Sequence, residues 1–160
     1  MALRNLLHLG DNTLRKKSKP VTSFDAKLSE LIDDMIETMH KNNGMGLAAV
    51  QCGVLKRVCI VETEDALYEL VNPTLVSSSG KVIDQEGCLS VEGFHGIVER
   101  PEHIVVDYFD RKGEKHTVSA EGYPARAFLH EMDHLDGILF VDKMIRKATK
   151  KELEQGYKCE

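Results

Sequence analysis

The sequence predicts an α+β fold in which antiparallel β-sheets pack around a central helix bearing an HExxH motif, with a second long helix near the N-terminus. Three observations predict it. Apolar residues recur at three- and four-residue steps between Leu28 and Met39. Short runs of β-type residues follow one another from Arg57 to Ala120, separated by turn residues. A second helical stretch then begins near Tyr123 and contains His130-Glu131-Met132-Asp133-His134.

The 160 residues suit one compact domain, residues 1–160, with a short exposed tail from about residue 146. At 42% hydrophobic, 6% aromatic and no Trp, the core must be built of Leu, Val, Ile, Met and Ala. The formal charge of −5 favours solubility and argues against nucleic acid as a direct substrate, which needs clustered Lys and Arg. Arg15-Lys16-Lys17 and Arg146 to Lys151 are the most basic stretches and read as solvated surface, the second also able to touch RNA or a ribosome. Cys52, Cys59, Cys88 and Cys159 form no CxxC pair and read as free thiols in a reducing compartment. No apolar run is long enough to span a membrane, and MALRNLLHLG lacks a signal-peptide pattern. Bacterial cytoplasm is the expected location.

Taken in order, residues 11–22 are polar and contain Pro20, so an extended arm or loops are expected. Leu28, Leu31, Ile32, Met35, Ile36 and Met39 place one apolar stripe on a helix, with Ser23 as N-cap and Asn42-Asn43-Gly44 as the stop. The Met residues in this stripe read as core. Strands are expected over Arg57–Glu62, Tyr68–Val76, Gly80–Asp84, Ile97–Arg100, Ile104–Phe109 and Glu114–Ala120, with Asp110-Arg111-Lys112-Gly113 as a hairpin turn. The second helix should run from Tyr123 to about Asp136. Pro124 suits its first turn, and Gly137 should end it. Lys143 to Gln155 can add a short exposed helix.

Residues four apart on a helix share a face, so His130 and His134 can reach one metal ion while Glu131 approaches a water on it. Two His ligands and a Glu base is the arrangement of zincin-type hydrolases. The plainer reading is a helix with two surface histidines. A catalytic site also needs a third ligand and an open position. Cys88, in Glu86-Gly87-Cys88-Leu89-Ser90, and further carboxylates are the candidates, although a lone intracellular Cys is more often a small buried hydrophobe. Gly44-Met45-Gly46-Leu47-Ala48-Ala49-Val50-Gln51 is a small-residue segment open to close backbone approach, with Gln51 a neutral donor. It lacks the context of a dinucleotide site or a P-loop.

Together, GMGLAAVQ (44–51), EGCLS (86–90) and HEMDH (130–134) resemble the three signature motifs of the peptide deformylases, in the same order and at similar separations. The resemblance extends from the arm with Asp11, Leu14 and Arg15 to about Met144. It implies removal of the formyl group from N-terminal formyl-methionine of nascent polypeptides, with release of formate. It implies one divalent metal per chain on Cys88, His130 and His134, usually Fe(II), with Zn, Ni or Co also accommodated. Glu131 would move the proton, and the Gln51 amide and Leu89 N–H would stabilise the oxyanion. The Gly46 backbone would pair with an extended substrate, and Met45 would border the methionine pocket.

The chain departs from the family pattern at Leu129, where Gln is usual, at Glu92, where Pro is common, and at Arg126, where an aliphatic residue would line the methionine pocket. Arg126 either snorkels to solvent or selects a different, acidic or smaller, N-terminal residue. Arg100 resembles a position near the substrate cleft. Competing functions are a deformylase-like hydrolase with an altered pocket, a non-catalytic metal-binding module, and a cysteine hydrolase using Cys88 with a histidine.

Overall fold

The computed structural model describes residues 2–156. Helix α1 spans Ala26–Lys41. Its N-cap is Asp25, not Ser23: the Asp25 carboxylate accepts the Leu28 N–H at 3.0 Å. A carboxylate satisfies a free donor and also faces the positive end of the helix dipole, which a hydroxyl two residues earlier cannot do. Asn42 and the left-handed Asn43 (φ 56°) end the helix, as the sequence leads one to expect. The arm is not wholly extended. Asn12–Arg15 form a 3-10 turn capped by Asp11, with Leu14 fully buried.

The strands are β1 (Gly46–Ala48), β2 (Val58–Glu62), β3 (Leu67–Ser79), β4 (Val82–Cys88), β5 (Val91–Arg100), β6 (His103–Phe109), β7 (Lys115–Glu121) and β8 (Arg146–Lys147). Helices α2 (Tyr123–Leu135) and α3 (Lys150–Gln155) complete the chain. Five strands form an antiparallel sheet in the order β1-β2-β3-β6-β7, and three form a second in the order β4-β5-β8. The mixed α and antiparallel β class is thus the expected one.

Strand β2 shows what organises the core. Val58 and Ile60 pack into a cluster with Leu31, Ile32, Met35 and Met39 of α1. Cys59 and Val61 point the other way, into a cluster with Ala125, Phe128 and Leu135 of α2. Alternate side chains of one strand therefore serve opposite faces, and β2 is apolar at successive positions because α1 covers one face and α2 the other. The Met residues of α1 are core, as their spacing indicates.

Several boundaries differ from expectation for non-local reasons, and β4 runs over Val82–Cys88 rather than Gly80–Asp84. Strand β5 begins at Val91 rather than Ile97, because β4 pairs with it down to Cys88–Val91. The chain from residue 146 is tied back: β8 pairs with Gly96 and Ile97, and the Glu152 carbonyl accepts the Gln85 side-chain amide at 3.1 Å. Cys52, Cys59 and Cys88 are free thiols; Cys159 lies outside the described residues. Among the described residues no helix is long and apolar enough to cross a membrane.

Helix α2 ends at Leu135 with Asp136 as its cap, and the next residue, Gly137, is left-handed (φ +75°) and lies against the Arg15 carbonyl. A Cβ there would collide with that backbone. Gly137→Ala should combine left-handed strain with overpacking, a loss of about 2–4 kcal/mol. A thermal melt should show Tm lower by roughly 5–15 °C. An unchanged Tm would mean that the arm yields without cost.

Candidate metal centre

The site lies where α2, the end of β4 and the segment after α1 meet. His130 and His134 project from one side of α2, with ring centroids 5.1 Å apart. A register irregularity between Glu86 and Cys88 interrupts the β4–β5 ladder, and such a bulge re-aims the next side chain. Cys88 Sγ thereby comes to 3.4 Å from His134 Nε2. Ligand atoms of Cys88, His130 and His134 all lie within 4.8 Å of one another.

These donors fit a metal. Bonds of about 2.0–2.3 Å from one ion span such separations. His130 Nδ1 is 2.8 Å from Glu86 Oε1, which fixes the ring and leaves Nε2 for the site. Burial holds His134 well below the usual histidine range, in the neutral form that can donate a lone pair. Burial also opposes charge on His130, but Glu131, Cys88 and Glu86 outweigh it and raise its pKa well above the ordinary value. Surroundings this negative suit a cation.

Glu131 is 6% exposed, and its Oε1 is buried without a hydrogen-bond partner. Its Oε2 stands 4.0 Å from His130 Nε2. Burial pushes the carboxyl up to about 7. A Cβ at Gly46 would lie 2.5 Å from Glu131 Oε2, so only glycine lets β1 pass this close to the carboxylate.

Gln51 is buried in the 3-10 turn Ala49–Cys52. Its Nε2 points toward Cys88 Sγ at 3.5 Å. The cleft holds about 440 Å³ and is lined by Gly44, Met45, Gly46, Gln51, the 85–89 segment, His95, Tyr123, Arg126, Ala127, His130 and Glu131. Met45 and Tyr123 stand exposed at its rim, with the Tyr123 hydroxyl 3.5 Å from the Met45 sulfur. Leu89 packs beside Met39, close enough that a Cβ on Gly44 would meet it.

Arg126 does not snorkel to solvent. It is 3% exposed, and its Nη1 donates to Glu86 Oε2 at 2.7 Å and to the Val98 carbonyl at 3.0 Å. Its Nη2 donates to the Val82 carbonyl at 2.8 Å. A buried carboxylate behind the helix supplied a stronger partner than water, and no local sequence pattern announces it. Arg100 is equally buried and grips Glu86 through Nε and Nη2, both at 2.8 Å, and Asp133 through Nη1 at 2.6 Å. It supports the site from behind and does not line the cleft. Burial opposes ionisation of Glu86, but the hydrogen bonds from Arg100 and His130 outweigh it and hold the carboxyl well below the usual range.

Leu129 faces the α2 core cluster, where an apolar residue packs well. Glu92 is exposed, 3.8 Å from His8. Sequence reasoning missed Glu86, which stands inside the EGCLS motif, and His95, whose ring covers Gly87 closely enough that a Cβ there would lie 2.5 Å from its Nε2.

Comparison with known proteins gives the family. The polypeptide deformylase family model matches residues 3–150. The peptide deformylase of Caldicellulosiruptor bescii is 52% identical over 97% of this chain and 93% of its own length. That of Acetivibrio thermocellus is 50% identical over 97% of this chain and 91% of its own. The crystal structure of the Thermotoga maritima peptide deformylase superposes with a TM-score of 0.87 at 38% identity, covering 89% of this chain and 97% of that one. The Synechococcus elongatus enzyme, solved in complex with actinonin, gives 0.86 at 38% identity, covering 95% of this chain and 82% of that one. The chain therefore belongs to the peptide deformylase family, the metal-dependent hydrolases that remove the formyl group from N-terminal formyl-methionine.

Proposed function

We propose that Cys88, His130 and His134 hold the divalent ion, that this ion is Fe(II), and that Glu131 moves the proton during deformylation. The observation that carries the reading is the convergence of the three donors beside a buried carboxylate oxygen that no protein group satisfies. The helix carrying HExxH is then the hub around which the sheets are arranged. The Fe(II) assignment rests on family resemblance, since S/N ligation alone suits zinc equally. When bound, the ion supplies a Lewis acid that polarises the formyl oxygen and acidifies water.

The chain's own groups do the rest. Glu131 takes a proton from the attacking water and passes it to the leaving amine. The Gln51 amide and the Leu89 N–H stabilise negative charge on the formyl oxygen. Strands β1 and β4 are both sheet edges and both border the cleft, so an extended peptide can pair with the Gly46 backbone as an added strand. Met45 borders the pocket for the methionine side chain.

Anaerobic, Fe(II)-loaded protein should release formate from formyl-Met-Ala-Ser, and a chelator should stop it. Chelator-resistant release would favour a cysteine hydrolase, which the contact between Cys88 and His134 also permits. The guanidinium of Arg126 is committed to Glu86 and two carbonyls, so it is not free to recognise an acidic side chain. Arg126→Ile should therefore leave the ranking of formyl-Met, formyl-Ala and formyl-Glu peptides unchanged. A shift of the ranking toward methionine would support the altered-pocket reading instead.

We also infer one domain over the whole chain, supported by the pairing of β8 with β5. Action on nascent chains in bacterial cytoplasm, near the ribosome surface, fits the bacterial relatives and the exposed basic residues Lys147, Lys150 and Lys151.

A further inference from the structure

The reading of Gln51 as an oxyanion donor requires its amide to be held. Oε1 accepts the Ala48 N–H at 2.9 Å, which fixes which end of the amide is the donor. Nε2 then has two hydrogens to place. One meets Ser90 Oγ at 3.0 Å, and the other is left for the site, where Cys88 Sγ lies at 3.5 Å. Ser90 is fully buried, as is Gln51 within 1%, so no water competes for this bond.

Gln51 lies in the 3-10 turn after β1 and Ser90 in the turn between β4 and β5, and the bond is useful only if these two turns keep register. The N-terminal arm supplies that register. The Leu7 N–H donates to the Gln51 carbonyl and the Leu9 N–H to the Ser90 carbonyl, each at 2.7 Å. Leu7 and Leu9 are only two residues apart, so one short stretch straps both turns.

We propose that Ser90 is a positioning residue for the Gln51 amide, and that the arm at Leu7 and Leu9 is the strap that keeps the pair in register. This rests on the oxyanion reading of Gln51. It gives the arm, remote from the proton-transfer chemistry, a share in turnover.

A double-mutant cycle tests it. Gln51→Ala should lower kcat by about 10²-fold, the usual effect of losing one oxyanion donor. Ser90→Ala should lower kcat by about 10-fold with KM within about twofold, since a loosened donor is felt in the transition state. In the Gln51→Ala background, Ser90→Ala should change kcat by less than about twofold, because the group it positions is gone. Additive losses would overturn the proposal and leave Ser90 merely structural. An unchanged kcat for Gln51→Ala would instead overturn the oxyanion reading itself. Leu9→Pro removes the second strap donor and should mimic Ser90→Ala, whereas Leu9→Ala keeps the donor and should not. Equal behaviour of the two Leu9 variants would remove the arm from the proposal. Zn(II) bound per chain should stay the same in Ser90→Ala, separating this effect from loss of the metal.

Discussion

Glu131→Ala should lower kcat for formyl-Met-Ala-Ser by about 10²–10⁴-fold, the range for loss of a positioned acid–base group. The chain should still bind its metal, because the proposed ligands Cys88, His130 and His134 are untouched. KM should change little, since on the proposed pairing the substrate is held by backbone groups and not by the Glu131 carboxylate. The same variant should melt no lower than the parent. Glu131 Oε1 is buried without a partner, and burial works against its charge. Removing such a group relieves a desolvation penalty of about 1–3 kcal/mol. A residue that holds back stability while supporting turnover is expected at an active site. Retention of more than a tenth of parental kcat would remove Glu131 from the proton-transfer role.

Glu86→Ala should have the largest effect on the fold. Glu86 accepts from Arg100 and Arg126, each 3% exposed, and from the His130 ring. Its loss would leave two guanidinium groups buried against fewer partners. Breaking a buried pair in this way costs about 3–5 kcal/mol, a large share of a total stability of roughly 5–15 kcal/mol. Tm should fall by about 10 °C or more. His130 would also lose the carboxylate that orients its ring, so Zn(II) affinity by chelator competition should weaken by about 10–100-fold. Glu86→Gln, which keeps the shape without the charge, should fall between parent and Ala on both scales. A Glu86→Ala protein with parental Tm would show that the two arginines find other partners.

The contrast between Glu131 and Arg126 shows how far the sequence could be read. Glu131 belongs to a local pattern: helical spacing alone puts it between two histidines, and the structure finds it on α2 as that spacing requires. The stripe of α1 and the run of β2 were legible for the same reason, because periodicity is a local property. Arg126 depends on Glu86, Val82 and Val98, which lie 28 to 44 residues away, and an isolated Arg reads as surface. The start of β5 and the tethered tail were likewise hidden, since each depends on a partner strand. The proposed metal ligands fall between these cases. Cys88 stood out as a candidate ligand only when three motifs were taken together, because nothing local separates a ligand cysteine from a buried one.

If an extended peptide pairs as proposed, the two sheet edges that flank the cleft also set a clock on the reaction. A peptide can lie between β1 and β4 only while its own amides and carbonyls are free to turn outward. Once a terminus has wound into a helix, its carbonyls are taken along the axis and its backbone is no longer extended, so it cannot pair with an edge strand. A terminus already zipped into a sheet of its own is equally closed to it. On that pairing the cleft would admit a chain only while its terminus is still young, with the methionine pocket reading what arrives, and a formyl group that survived until folding was complete would be out of reach.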